Sequence, residues 1–384
     1  MIFYSLLFVV LSLLCLMGLI FSSSLAVDIF VRFLSRINRR QLLSHKWDSQ
    51  EQWMARVTTA SSKMYSSHPT LRIYDKNWGI LYAKCLGIYT NRVSSSWHYA
   101  PLIASVSSEE KYRNDVERLK IEELDDGFGL YLLWRLKDVS NEVIEVHIKK
   151  FVNLLKQREN EAGVICYRNW VGMKDMFFVD SIPFMCPGLI RYGVSFEKRE
   201  IIDLALQQIK FYYEVGYSSK EGLYATGCSI SKRKSNGLFG WGRGTGWWCL
   251  GILFSYLECP DGVNKVWLKG LLEETATNIV KLQCDDGGWC TYLVLQYPYD
   301  STATAIFVYF LMQVDKINQT QIYTHSIQRG IKKLMSATRP DGRIDSCEGD
   351  CHGFGKYSQL YTISPFGQGI VQMIVNELNP THKN

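Results

Sequence analysis

Asp285-Asp286-Gly287-Gly288-Trp289 is one of four short segments that resemble one another, and their spacing decides the fold. The others are Glu161-Ala162-Gly163-Val164-Ile165-Cys166-Tyr167, Lys220-Glu221-Gly222-Leu223-Tyr224 and Pro340-Asp341-Gly342-Arg343-Ile344. Each sets a polar or turn-forming residue before a glycine and an apolar residue after it. The glycines fall at 163, 222, 287 and 342, so successive spacings are 59, 65 and 55 residues. A period of this length marks an array of equivalent supersecondary units.

Between these loops the chain reads as helix. Phe151-Val152-Leu154-Leu155, Ile201-Ile202-Leu204-Ala205-Ile209 and Trp267-Leu268-Leu271-Leu272 follow 3.6-residue spacing. Thr302-Ala303-Ala305-Ile306-Val308-Tyr309-Leu311 is apolar nearly all round, as a helix buried on every side must be. Two helices fit between successive glycine loops. A period near 57 over residues 45–384 gives about six helical hairpins. Closed into a ring they make an all-α (α/α)6 barrel; left open they make a helical solenoid. Clean period-two runs are few, which argues against a sheet protein. In either arrangement the glycine loops share one face, where a cleft is expected.

Bulk composition narrows the classes. With 47% hydrophobic and 21% charged residues in 384, the chain has the makeup of a globular protein. No low-complexity linker divides it after residue 45, so residues 51–384 read as one barrel domain. The net charge of +6 is spread thinly, and its densest run, Lys232-Arg233-Lys234, is too short for a nucleic-acid patch. Eleven scattered cysteines suit a reducing compartment better than a disulfide framework. Cys347 and Cys351 lack a second ligand pair at metal spacing, so no metal and no cofactor is expected.

Residues 1–27 carry no charged side chain. As a helix they reach roughly 40 Å, against about 30 Å of hydrocarbon in a bilayer. They read as a single-pass transmembrane helix ahead of the barrel, with a cleaved signal peptide as the competitor. Residues 28–50 read as a juxtamembrane spacer. Arg32, Arg36, Arg39, Arg40 and Lys46 follow the apolar run. Positive-inside bias puts the barrel on the cytoplasmic side.

Trp241-Gly242-Arg243-Gly244-Thr245-Gly246-Trp247-Trp248 concentrates one cation and three indoles in eight residues. A guanidinium suits a carboxylate and indole faces suit a sugar ring, so the segment describes a pocket for an acidic sugar. It equally describes a glycine-rich turn entering a buried helix. Asp180 lies in Met176-Phe177-Phe178-Val179-Asp180-Ser181-Ile182-Pro183, and a carboxylate in such apolar sequence needs a partner or a task. Desolvation raises a carboxyl into the range of a general acid, while Asp180 ahead of Pro183 also fits a helix start. Asp125-Asp126-Gly127 precedes the apolar run 130–134 and is either a second acidic site or a helix cap. Glu348 and Asp350 form a third polar loop.

In this order along the chain, these segments resemble the unsaturated glucuronyl and rhamnogalacturonyl hydrolases, glycoside hydrolase families 88 and 105. The likeness runs from about Trp78 to Leu378. Residues 241–248 match the family's aromatic-x-Arg-Gly-x-Gly-Trp segment. Residues 178–193 match the segment holding its catalytic Asp. Asp300-Ser301-Thr302-Ala303-Thr304-Ala305 resembles its acidic helix start, and Phe366-Gly367-Gln368-Gly369 its closing His-Gly-x-Gly turn. The resemblance implies an (α/α)6 barrel and a substrate with a Δ4,5-unsaturated uronic acid at the non-reducing end of an oligosaccharide or polysaccharide. It implies that one Asp protonates the vinyl ether and then assists water attack at C5. Carried over, Asp180 is the acid/base and Asp125 or Asp126 the supporting carboxylate. Arg243, Trp247 and Trp241 line the sugar site, with Trp78 stacking and Thr226 beside them. At three positions where the family often carries His, this chain has Asn169, Thr226 and Phe366. A non-catalytic glycan-binding or polysaccharide-assembly protein on the same barrel is the alternative.

Overall fold

The structure is a computed structural model that describes residues 9–16, 43, 45–67, 96–106, 119–136, 141–168, 173–349, 351, 357–358 and 361–379. Its helices are α1 (Gln50–Ser67), α2 (Ser96–Val106), α3 (Asp126–Trp134), α4 (Asn141–Lys156), α5 (Ser181–Ser195), α6 (Arg199–Gly216), α7 (Gly242–Glu258), α8 (Val263–Lys281), α9 (Ser301–Asn318), α10 (Thr324–Ser336) and α11 (Pro365–Leu378).

Six of them close a ring. α2 packs on α3, α3 on α5, α5 on α7, α7 on α9, α9 on α11, and α11 returns to α2. Their sequences explain their place. Every residue of α9 from Ser301 to Leu311 is buried, and Gly242 to Ser255 of α7 is buried without interruption. Helices with no polar face are stable only when neighbours cover them on all sides. The remaining helices are amphipathic and lie outside: α6 buries Ile201, Ile202, Ala205, Leu206, Ile209 and Tyr212 and exposes the opposite face. α1 covers the seam between α11 and α2. The periodicity-based expectation of an (α/α)6 barrel holds, and the open solenoid does not, because the last inner helix meets the first.

The four repeat glycines sit where the spacing put them, in the loops between an outer helix and the next inner one. All four have positive φ, at +72°, +65°, +89° and +86° for Gly163, Gly222, Gly287 and Gly342. Side chains avoid that region. Each loop also presses on the following outer helix. A Cβ at Gly163 would lie 2.6 Å from Gln207 on α6, one at Gly222 3.0 Å from Asn278 on α8, and one at Gly287 2.5 Å from the Arg329 carbonyl on α10. One at Gly342 would overlap the Arg56 carbonyl on α1, so the same contact joins the end of the chain to its beginning.

The loops carry short strands that the sequence pattern does not announce. β1 (Met176–Phe178) pairs with β4 (Gly227–Ser229), which pairs with β5 (Lys234–Ser235); β2 (Tyr217–Ser218) pairs with β3 (Leu223–Tyr224), β6 (Cys290–Tyr292) with β7 (Tyr297–Tyr299), and β8 (Cys347–Glu348) with β9 (Tyr361–Thr362). All are antiparallel and two or three residues long, too short for a period of two to be read.

Of the apolar segment 1–27, residues 9–16 are helical and exposed. The rest lies outside the described residues. Among the described residues no helix is long and apolar enough to cross a membrane.

Candidate active site

From α3 to α11 the inner helices run the same way, because α4, α6, α8 and α10 return the chain between successive members. Their N-termini therefore gather at one rim. Asp125 precedes α3, Asp180 precedes α5, Trp241 precedes α7, Asp300 precedes α9 and Ser364 precedes α11. Helix N-termini carry partial positive charge and unsatisfied N–H groups, so this rim favours an anion.

One half of the rim is built on Arg243, which is 4% exposed. Its guanidinium donates to the carbonyls of Glu348 and Gly349, both at 2.8 Å, and to Cys351 Sγ at 3.2 Å. The Glu348 carboxylate lies 3.7 Å away and also accepts Trp241 Nε1–H at 3.0 Å. The guanidinium sits 5.2 Å from the Trp241 ring, which stacks on Tyr357 at 5.0 Å. The Tyr357 hydroxyl meets Thr226 Oγ1 at 2.6 Å. Beneath them Asp300 caps α9, accepting from Thr302 N at 2.8 Å and Ala303 N at 3.2 Å, and holds the loop through Glu348 N at 2.9 Å. Burial pushes the Asp300 carboxyl up, opposed by Arg243 and the three amides.

The other half is acidic. Burial raises the Asp125 carboxyl, with Arg168 at 3.8 Å opposing it. Asp126 Oδ2 instead accepts the backbone N–H of Glu122 and Glu123, each at 2.9 Å, and so ties the α3 entry together. Asp180 is half-buried. Burial first, then the charges of Asp125 and Asp180, hold the Tyr167 phenol well above the usual range, so it keeps its proton. Tyr212, whose hydroxyl donates to the Ala225 carbonyl, also feels Asp180.

The halves meet through backbone. Val179 N donates to Thr226 O at 3.1 Å, so the residue before Asp180 is fixed to the residue that holds Tyr357. Of the sequence-derived set, Trp241 and Arg243 come together directly, Thr226 joins them through Tyr357, and Asp125 and Asp180 stand at the starts of the neighbouring inner helices α3 and α5. Trp247 sits elsewhere: it is 1% exposed, packed edge-on against Trp97, Phe128 and Phe184 and tilted against Phe366. There it belongs to the apolar floor, as the buried-helix reading of the segment anticipated. Trp78 and Asn169 lie outside the described residues, as do Asp350 and His352. Phe366 occupies its position as part of that same floor.

A cavity of about 780 Å³ opens on this rim, lined among others by Arg243, Thr302, Glu348, Trp97, His98 and Phe366. Asp180 is not among its lining residues, so the cavity adjoins Arg243 and not the acidic half. Sequence reasoning missed Tyr357, Tyr167, Trp97 and the cavity-lining side of α1. Single aromatics without a spacing pattern gave it nothing to hold. Among the described residues no group of three His, Cys, Asp or Glu side chains could hold a metal ion.

The sequence profile of Glycosyl Hydrolase Family 88 matches residues 48–381. The chain belongs to this family. It is a glycosidase by that membership, and the matched span runs from just before α1 to past α11. Among solved structures, a possible GH105 member from Klebsiella pneumoniae subsp. pneumoniae aligns with TM-score 0.67 at 16% identity, covering 88% of this chain and 95% of its own. An unsaturated glucuronyl hydrolase specific for heparin aligns with TM-score 0.65 at 15% identity, covering 87% and 99%. The unsaturated glucuronyl hydrolase of Bacillus sp. GL1, responsible for degradation of glycosaminoglycan, aligns with TM-score 0.63 at 14% identity, covering 85% and 95%. At such identities the likeness is one of fold. No functionally curated protein sequence matches the chain.

Proposed function

We propose that this glycosidase acts on an acidic oligosaccharide or polysaccharide ending in a Δ4,5-unsaturated uronic acid, with Asp180 as acid/base. The carrying observation is the acidic half of the rim: Asp125 and Asp180 stand at the starts of α3 and α5, inner helices packed side by side. The solved relatives named for unsaturated glucuronyl hydrolysis support the substrate class.

In this reading the Asp180 carboxyl gives its proton to C4 of the vinyl ether. The resulting carboxylate takes a proton from water as the oxygen adds to C5. The hydrated sugar is a hemiketal, which opens and releases the aglycone. Asp125, not Asp126, is the supporting carboxylate, because Asp126 is committed to the amides of Glu122 and Glu123. Arg243, paired with Glu348, lines the cavity next to the acidic half and, with Trp241 and Thr226, fixes the wall between them. Trp247 supports that wall from below, and Trp78 remains a candidate for stacking on the sugar.

The test follows the ultraviolet absorbance of the uronyl double bond in unsaturated disaccharides. Wild type removes it, and Asp180→Asn slows the loss by about 10²- to 10⁴-fold, as expected for a lost general acid. Binding of the disaccharide by wild type without any loss of absorbance would instead identify a glycan-binding barrel. We further propose that residues 1–27 anchor the barrel to a membrane, with the barrel on the cytoplasmic side. Support comes from the uncharged run with its trailing arginines, and from residues 9–16, where Val9, Leu11, Leu13, Leu14 and Leu16 are all about half exposed. Fractionation of the full chain against a version lacking residues 1–27 tests it.

A further inference from the structure

The loops leading into α7 and α9 carry an apolar surface that the proposed chemistry does not use. Leu238, Phe239, Tyr292, Val294, Leu295 and Tyr297 are all exposed, Leu295 at 75% and Tyr297 at 73%. None of the six lines the cavity. Exposed apolar side chains are ordinary when they stand singly, but these are joined. The Gly240 carbonyl accepts Leu293 N–H at 2.9 Å, and Trp241 bridges to Tyr292, so the segment holding Leu238 and Phe239 lies along the β6–β7 hairpin. A Cβ at Gly240 would meet Val294 at 3.6 Å, which sets the hairpin tip against that segment. Within the turn Leu293 packs inward and is buried, while Val294 and Leu295 stay in solvent.

The same loop supplies charge. Lys232, Arg233 and Lys234 are exposed and end four residues before Leu238. Lys234 pairs with Ser229 across β4 and β5, and Asn236 N–H to the Gly227 carbonyl at 2.9 Å and Thr226 N–H to the Leu238 carbonyl at 2.8 Å fix the return to the apolar residues. With exposed Lys174 on the adjoining turn, four cations stand with two carboxylates. Glu214 pairs with Arg233 at 2.6 Å, and Asp175 accepts from Ser229 and Ser231. The excess is positive. Exposed aliphatic and aromatic side chains flanked by lysines suit the headgroup layer of an anionic bilayer, where the apolar groups enter the acyl boundary and the ammonium groups meet phosphates. The entry of the chain agrees. Trp47 Nε1 donates to the Met335 carbonyl at 3.0 Å, in the last turn of α10, and the outer helices end towards the rim. The chain that follows residues 1–27 therefore joins the barrel on the rim side, where the patch also lies. We infer that Leu238, Phe239 and the 292–297 turn form a membrane-contact surface that seats on an anionic lipid leaflet, with Lys232 and Lys234 at its headgroups. A barrel held in this way keeps its rim at the bilayer surface. The inference draws on the anchor reading for the membrane's proximity and is independent of the hydrolase reading.

The experiment places the full chain with vesicles of phosphatidylcholine alone, or of phosphatidylcholine with phosphatidylserine, and follows amide hydrogen exchange in peptides covering 232–240 and 290–299. Anionic vesicles should slow exchange at these peptides at low salt, and less so at high salt. Val294→Ser/Leu295→Ser and, separately, Lys232→Gln/Lys234→Gln should each reduce the slowing about tenfold or more, since one cation near an anionic leaflet is worth about fivefold in attraction. All four side chains are exposed, and unchanged exchange in α9 verifies that the variants keep the barrel. Equal slowing in both vesicle types, as a second copy of the chain or its own apolar segment on the patch would give, overturns the inference. Slowing in neither, or slowing that survives the lysine replacement, overturns it as well. Flotation with the neutral vesicles reports the anchor separately: a chain that does not float with them but still shows the anionic slowing upholds the contact surface and sinks the anchor. No readout involves a sugar, so a failed hydrolase reading leaves the result standing.

Discussion

Trp241 Nε1 donates to the Glu348 carboxylate at 3.0 Å, across 107 residues of chain, and that carboxylate faces the Arg243 guanidinium at 3.7 Å. All three side chains are buried. The arrangement makes the 347–351 loop the partner of the helix α7 entry. Replacing Glu348 by Ala leaves a buried guanidinium short of its counter-charge, which costs about 3–5 kcal/mol in comparable settings. The expected outcome is a large drop in unfolding midpoint and a raised KM. Trp241→Phe keeps the ring over Tyr357 but loses the N–H, and should cost about 1–3 kcal/mol for the acceptor left behind. Chemical denaturation of both variants checks the order.

Tyr357→Phe removes one hydroxyl, the partner of Thr226 at 2.6 Å. The stacking on Trp241 survives, so the stability loss should be only about 1 kcal/mol. The functional effect should be larger, because this contact is what ties the acidic half, through Val179 and Thr226, to the Arg243 half. A KM that stays at the wild-type value would show that the two halves do not need this link.

Burial raises the Asp125 carboxyl above its ordinary value of 3.8. A raised carboxyl binds its proton more tightly folded than unfolded, so folding is favoured by acid and disfavoured as pH rises. Below 3.8 the group is protonated in both states and costs nothing. The cost begins as pH passes that value and is complete above the folded one. Asp125→Asn should therefore match wild type in strong acid and gain on it as pH rises, with the loss of Arg168 as a partly offsetting effect. A stability difference that does not vary with pH would refute this.

Glycines in three different settings supply a graded test. Gly342→Ala combines a φ of +86° with an overlap on the Arg56 carbonyl, and should cost at least about 2 kcal/mol. Gly237→Ala shares the positive φ, at +75°, but meets nothing within 4 Å, so only the backbone penalty of about 1–2 kcal/mol applies. Gly270→Ala lies inside α8 in open space and should stabilise by about 0.5–1 kcal/mol. Thermal melts of the three would rank them.

The fold was legible because its signal is repeated. Four glycines at similar spacing and one helix, α9, apolar on every side already require hairpins in an array, and the period gives about six of them, but it leaves ring and open solenoid equally possible. The candidate site was legible where a residue carries its own expense. Asp180 in apolar sequence and Arg243 among indoles stand out because burying charge without a purpose is costly. Trp247 read ambiguously for a plain reason: an indole is as useful under a site as in one. Tyr357 owes its importance to a contact with Thr226, 131 positions away, and no local pattern encodes such a meeting. The cavity-lining side of α1 was hidden similarly, since Arg56 and Lys63 look like any solvated helix face until the cavity is seen beside them.

The press of Gly342 on Arg56 makes the molecule a loop of modules with no outermost member. In an open stack the terminal module has one neighbour and melts first. Here the first outer helix is held by the last glycine turn, so each unit has two neighbours. Loss of any one unit exposes two apolar flanks at once. Such a body should denature as a single event, and the cleft at its mouth should keep its shape until the whole ring gives way.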